Sequence, residues 1–128
     1  MPRSPRPPAA DYETFEAEGY AILVGRSARD NDRLTFKVAD PQDLWLHVAG
    51  TPGSHVIVRN PDKGDVPRPV VKRAAELAAF HSKASAAGGK VTVHVCRACD
   101  VRKPRGAKPG SVTLRRFDEV KVYVPSAV

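Results

Sequence analysis

The stretch Asp43-Leu44-Trp45-Leu46-His47-Val48-Ala49-Gly50-Thr51-Pro52-Gly53-Ser54-His55-Val56-Ile57-Val58-Arg59 decides the fold. In its first half Leu44, Leu46 and Val48 alternate with Asp43, Trp45 and His47. That is the period of a β-strand, whose side chains change face at every residue. Thr51-Pro52-Gly53 predicts a type II turn, with Pro presetting φ and Gly supplying a positive one. Beyond the turn His55, Ile57 and Arg59 share one face, and Val56 and Val58 the other. The two runs read as a pair of strands with an apolar back. The front carries an acid, the only Trp and two of the four His, and Trp45 is expected to be exposed there.

Upstream, Tyr20–Val24 reads as a strand and Leu34–Val38 as another, with Leu34, Phe36 and Val38 facing inward. Together they predict a hairpin with a long polar loop over residues 27–33. Residues 11–19 are acidic and read as a lead-in. Residues 1–10 are Pro-rich with Arg3 and Arg6, the composition of a flexible arm. Downstream, residues 60–69 hold Pro61, Gly64, Pro67 and Pro69 and predict a loop. Val70–Ala87 is the one strong helical pattern, with Val71, Ala74, Ala75, Ala78 and Ser82 near one another and Gly88-Gly89 as its stop. Residues 91–95, 111–116 and 120–124 alternate as strands. The expected fold is α+β: one domain, a mostly antiparallel sheet of about six or seven strands, and one main helix (about 70–87) on one face. The expected organisation is an arm and lead-in over 1–18 and a folded domain over 19–125.

A length of 128 residues suffices for one domain with a real core. No apolar run has the length of a membrane span, and the first ten residues lack the apolar segment of a signal peptide, so a soluble cytoplasmic protein is expected. Two Cys make no disulfide scaffold. His94-x-Cys96-x-x-Cys99 has no second cluster to complete a zinc site, so ordinary thiols are expected and no metal. No phosphate-binding loop, G-x-S-x-G or H-E-x-x-H is present, and no cofactor is expected. Asp43 and His47 stand about 13 Å apart on a straight strand, too far for a dyad. Ser54 and His55 are neighbours on opposite faces.

Charge points elsewhere. The net charge is +7. Residues 1–58 carry 6 Lys and Arg against 8 acids, whereas residues 59–128 carry 15 against 6. A basic half on a small protein favours a polyanionic partner. Arg102-Lys103-Pro104-Arg105-Gly106-Ala107-Lys108-Pro109-Gly110 places four cations and no acid in nine residues. Pro and Gly keep such a segment extended, able to follow a phosphate chain. Trp45 and Tyr123 are candidates for stacking on bases, although a lone Trp is more often a core residue.

These residues resemble the NFACT-R domain, the RNA-binding module of the NFACT proteins, long called fibronectin-binding proteins. The resemblance runs through Gly19-Tyr20, Val24-Gly25-Arg26, Asn31-Asp32, Asp43-Leu44-Trp45-Leu46-His47, Gly50 and Pro52-Gly53-Ser54-His55-Val56. It continues through the Ala74-Ala75…Ala78…Ser82-Lys83 helix, Val101-Arg102-Lys103-Pro104 and Gly106-Ala107-Lys108-Pro109-Gly110. It covers residues 19–124, with His81 a departure where the family more often has Tyr. The resemblance implies RNA binding in a translation setting. Full-length members join stalled large ribosomal subunits, bind tRNA and support C-terminal tailing of the nascent chain. Tailing is associated with regions that 128 residues do not contain, so the chain resembles a stand-alone form.

The expectation is a non-catalytic module for tRNA or rRNA in ribosome-associated quality control, with the ribosome or a tRNA-modifying enzyme as a further partner. Its expected RNA-binding residues are Arg26, Asp43, Trp45, His47, Ser54, His55, Arg59, Lys72, Lys83, Arg102, Lys103, Arg105 and Lys108. Asp43 is expected to orient His47, His55 or an Arg, or to accept a bond from the RNA. Two alternatives stand beside it: a protein-interaction module docking on a ribosomal or tRNA-modification partner, and a small enzyme using Asp43, His47 and His55.

Overall fold

Strand periodicity and two covering layers build the domain. The computed structural model describes residues 11–128; the expected arm at 1–10 lies outside them. The main sheet has six strands: β1 (Tyr12–Ala17), β2 (Tyr20–Gly25), β3 (Leu44–Val48), β4 (Val56–Val58), β5 (Lys90–Arg97) and β8 (Asp118–Tyr123). Their spatial order is β1-β2-β4-β3-β5-β8, and every pairing is antiparallel. Two short strands, β6 (Val101–Arg102) and β7 (Thr113–Leu114), pair as a separate ribbon. The α+β architecture is the expected one.

Alternation assigns the back face correctly. Leu44, Leu46, Val48, Val56, Val58, Val91, Val93 and Val95 join one buried cluster with helix α2 (Arg68–Phe80). That helix buries Val70, Ala74, Ala75, Leu77, Ala78 and Ala79. Its alanines favour helix and let its axis lie close to the sheet. The helix starts after Pro67, with Pro69 in its first turn, where a missing N–H costs nothing.

It ends at Phe80, well short of Ala87 and the Gly pair. The cause is tertiary. Ser82 leaves helical geometry to form a β-bridge with Gly53. Ser54 N–H donates to His81 O (3.0 Å) and Lys83 N–H to Pro52 O (3.0 Å). A Cβ on Gly53 would stand 2.7 Å from that of Ser82, so glycine is required there for close approach. The positive φ in this connection is at Gly50 (72°), not Gly53, which corrects the type II turn expected at Thr51-Pro52-Gly53.

The N-terminal half departs from expectation twice. Residues 12–17 are an edge strand rather than a lead-in, joined to β2 through Glu18 and Gly19. Both turn residues have positive φ (48° and 82°), the type I′ geometry that matches strand twist. Residues 34–38 are helical, not a strand: α1 (Ala28–Arg33) runs into a π-helical turn, Leu34–Val38. Ser27 caps α1, its Oγ accepting from Asp30 N–H (3.1 Å) and donating to the Asp30 carboxylate (2.7 Å). Leu34 is buried and Phe36 is exposed. Leu34 and Val38, four apart, share a helical face as readily as a strand face, so a run this short cannot decide between the two periods.

Candidate nucleic-acid interface

The front of the sheet is covered in part. Leu23, Trp45, Ile57 and Cys96 point from the strands into a second cluster with Leu34 and Val101, flanked by Val112 and Leu114. The covering pieces are the 34–39 turn and the 101–114 ribbon, both remote from β3 in sequence. Trp45 is therefore 2% exposed, and the expected open stacking platform at Trp45 is corrected to a core residue. Burial also raises the Cys96 thiol to about 12, while Cys99 is exposed. The described residues hold no group of three or more His, Cys, Asp or Glu that could bind a metal.

His55 ties the cover to the sheet. Trp45 Nε1–H donates to His55 Nδ1 at 3.2 Å, and Thr35 Oγ1 lies 2.8 Å from the same nitrogen. An indole nitrogen only donates, so Nδ1 carries no proton and Thr35 donates too. The proton is on Nε2, which faces Gly110 O at 3.2 Å. All polar positions of the ring are thus used. Burial, with His47 as the next cause, pushes its pKa down to about 4. His55 N–H donates to Asn31 Oδ1 (3.0 Å), and Ser54 Oγ–H to Gly25 O (2.7 Å).

Asp43, 1% exposed, has a structural task at the opposite end of β3 from His47. It accepts from Asn60 N–H (2.8 Å) and Asp40 N–H (3.0 Å), and pairs with Arg59 Nε (3.3 Å). Of the partners expected for it, the Arg is the one it meets. The structure does not bring Asp43 together with His47 and His55, so the geometry an enzyme of those three would need is absent. Arg59 also donates to Val38 O (2.8 Å) and pairs with Asp40 (3.2 Å), so its partly exposed guanidinium staples loops together.

Lys103 is engaged in the same way. Its Nζ pairs with Asp32 (3.0 Å) and donates to Lys108 O and Ser111 O (2.9 Å). Gly110 N–H donates to Asp32 as well (3.0 Å). One cation of the basic loop thus closes the loop on itself and on α1. Its neighbours Arg102, Arg105 and Lys108 are exposed.

Between the β2–α1 turn, residues 50–55 and the 109–117 strap lies a cleft of about 900 Å³. Trp45, His47 and His55 line it together with His81, His94 and Phe117. His47 and His94 are directly opposed on β3 and β5. His47 stacks on Trp45 (centroids 5.8 Å apart), and its pKa is lowered, mainly by burial. His94 lies against Phe117 (4.3 Å) and within 3.4 Å of Glu119. No Asp or Glu lines the cleft among the described residues.

Of the expected site residues, Arg26, Trp45, His47, Ser54 and His55 line this cleft. Arg26 is held at its margin by Asp11 (3.2 Å) and Glu13 (3.9 Å). Lys83 is exposed near it, through the backbone bond to Pro52. Lys72 lies on α2, in the layer on the other face of the sheet, and is not brought to it. Sequence reasoning missed His94, Phe117, Arg115 and Arg116 as parts of this surface. His94 opposite His47 follows from strand register, and alternation alone does not give register.

The sequence matches the profile of the NFACT protein RNA binding domain over residues 11–116. It is 42% identical over 102 residues to the Rqc2 homolog RqcH of Bacillus subtilis, covering 79% of this chain and 17% of that protein. It is 46% identical over 101 residues to RqcH of Streptococcus suis, covering 79% and 18%. The chain thus spans less than a fifth of the length of these relatives. Subunit 2 of the Saccharomyces cerevisiae ribosome quality control complex is 28% identical over 74 residues, covering 57% of this chain and 7% of that protein. The solved C-terminal structure of the fibronectin/fibrinogen-binding protein from Streptococcus suis matches with a TM-score of 0.80 and 38% identity, covering 96% of this chain and 48% of that one. With most of its length matched, the chain belongs to the NFACT RNA-binding domain family.

Proposed function

We propose that this chain is a non-catalytic RNA-binding module acting on tRNA or rRNA in ribosome-associated quality control. The observation that carries the reading is the strap over residues 102–117. Arg102, Arg105, Lys108, Arg115 and Arg116 are all exposed along it, Arg116 standing 4.0 Å from Asp100, and among the described residues no acid lines the cleft it walls. Cations held on a folded ribbon neutralise phosphates and release counterions. Family membership and the names of the relatives support the RNA class and the ribosomal setting. Free thiols at Cys96 and Cys99 support a reducing compartment such as the cytoplasm.

Within this reading the residues divide into two groups. Asp43, Ser54, His55, Arg59 and Lys103 hold the loops in place by the bonds above. Arg102, Arg105, Lys108, Arg115, Arg116 and Lys83 meet phosphate. Filter binding of tRNA, rRNA fragments and DNA at two salt concentrations tests the proposal. Salt-dependent binding that favours RNA supports it. Weak binding to every nucleic acid, with tight salt-resistant binding to a ribosomal protein, would replace it with a protein-docking module.

A further inference from the structure

We propose that the cleft receives one unpaired nucleotide of the bound RNA, its base against the Phe117 and His94 rings, so that the module prefers RNA with a single-stranded end or bulge over plain duplex. The inference rests on the RNA-binding reading and assigns an occupant to a cavity that phosphate contact alone does not use.

Three observations converge on that occupant. The first is shape. At about 900 Å³ the cleft is at the upper end of the usual range for ligand sites, roughly 300–1,000 Å³. Its lining includes Trp45, which is buried, and His47, which is half-buried, below the exposed side chains of the strap; a splayed base reaches such rings where the broad face of an A-form helix does not.

The second is the aromatic wall. Phe117 is 47% exposed at the strand entrance, and His94 lies 4.3 Å away, between Phe117 and Glu119. A large apolar ring left half in water gains by covering one face. Bases stack on such rings with little regard to identity.

The third is charge and polarity. The lining residues include four His and one Arg but no acid among the described residues, in a chain with 14 acids. Thr51 and Ser111 are among the lining residues, and hydroxyl side chains suit base edges or a 2′-OH. Lys108 precedes Pro109 and Arg115 stands two residues before Phe117, so exposed cations adjoin the lining residues at both ends of the strap, where the phosphates on either side of an inserted nucleotide would run; Arg116 turns instead toward Asp100 (4.0 Å).

The test uses fluorescence anisotropy with two RNA hairpins, one blunt and one with a short single-stranded 3′ tail. The tailed hairpin is expected to bind about tenfold more tightly, within what one base–aromatic stack supplies. Phe117→Ala should weaken the tailed hairpin several-fold more than the blunt one and so remove most of that difference, while Phe117→Trp should keep it. Equal binding of both hairpins by the wild type overturns the inference and leaves the RNA reading standing. A Phe117→Ala loss of the same size for both hairpins overturns it as well. Displacement of the tailed hairpin by a free mononucleotide, at concentrations near that hairpin's Kd, would assign the cleft to nucleotide ligands and overturn it too. Failure of both hairpins to bind at low salt removes the RNA reading and this inference with it.

Discussion

Trp45 donates its indole proton to His55 Nδ1 across 3.2 Å, and this single bond sets the tautomer of the histidine that latches the 109–111 strap. A pH dependence follows. Burial holds the folded pKa of His55 down at about 4, against 6.5 when unfolded. Between those values the unfolded chain binds a proton that the folded chain does not. The stabilisation is fully present above about pH 6.5 and is lost as pH falls toward 4, amounting to about 3 kcal/mol in all. Urea denaturation between about pH 7 and pH 5 should show falling stability, and His55→Gln should flatten that slope. An unchanged slope in the variant would show that the ring titrates normally.

Asp43 looks catalytic in sequence and acts as a scaffold in the fold. Asp43→Ala leaves the N–H groups of Asp40 and Asn60 without their acceptor and Arg59 without its buried carboxylate partner. The expected loss is about 3 kcal/mol of stability. RNA affinity, measured where the variant is still folded, should not change. Loss of affinity at full stability would place Asp43 in the RNA contact.

Lys103 and Lys108 sit five residues apart in one basic loop and should behave oppositely. Lys103→Ala removes the tie to Asp32 and two carbonyls. It should cost about 1–2 kcal/mol in thermal or urea unfolding. Lys108→Ala, at an exposed side chain, should leave stability within about 0.5 kcal/mol. Equal destabilisation by the two would contradict the closed-loop geometry.

Gly53→Ala drives a methyl against the Cβ of Ser82 at 2.7 Å. The β-bridge that ends α2 has to shift, at a cost of about 1–3 kcal/mol. Adding Ser82→Gly should recover part of that loss, measured as a double-mutant cycle in urea. Additive losses would mean that the contact is not the cause.

How much of this was legible beforehand depends on whether the signal was local. The back faces of β3, β4 and β5 were readable because alternation is a two-residue property, and Leu44, Val56 and Val93 all joined one core. The front face around Trp45 read as open, with a core role for a lone Trp as the commoner alternative, because its cover comes from residues 34–39 and 101–114, which no local period reveals. Helix α2 was readable in type and start. Its end was not, because a bridge between Gly53 and Ser82 stops it. The cations of the basic loop were visible as charges. That Lys103 turns inward to Asp32, 71 residues away, was not. Phe117 lay just ahead of a strand with no pattern to mark it, and only the fold sets it beside His94.

The central claim is that affinity for RNA resides in the exposed cations of the strap and not in the Asp43–Trp45–His55 framework. The salt dependence of RNA affinity for the Arg105→Ala/Lys108→Ala/Arg116→Ala variant tests it most directly. The slope of log K against log salt should be shallower than wild type by about 2 to 3, near 0.7–0.9 for each lost phosphate contact, with the fold unchanged. A slope and affinity equal to wild type would contradict the claim.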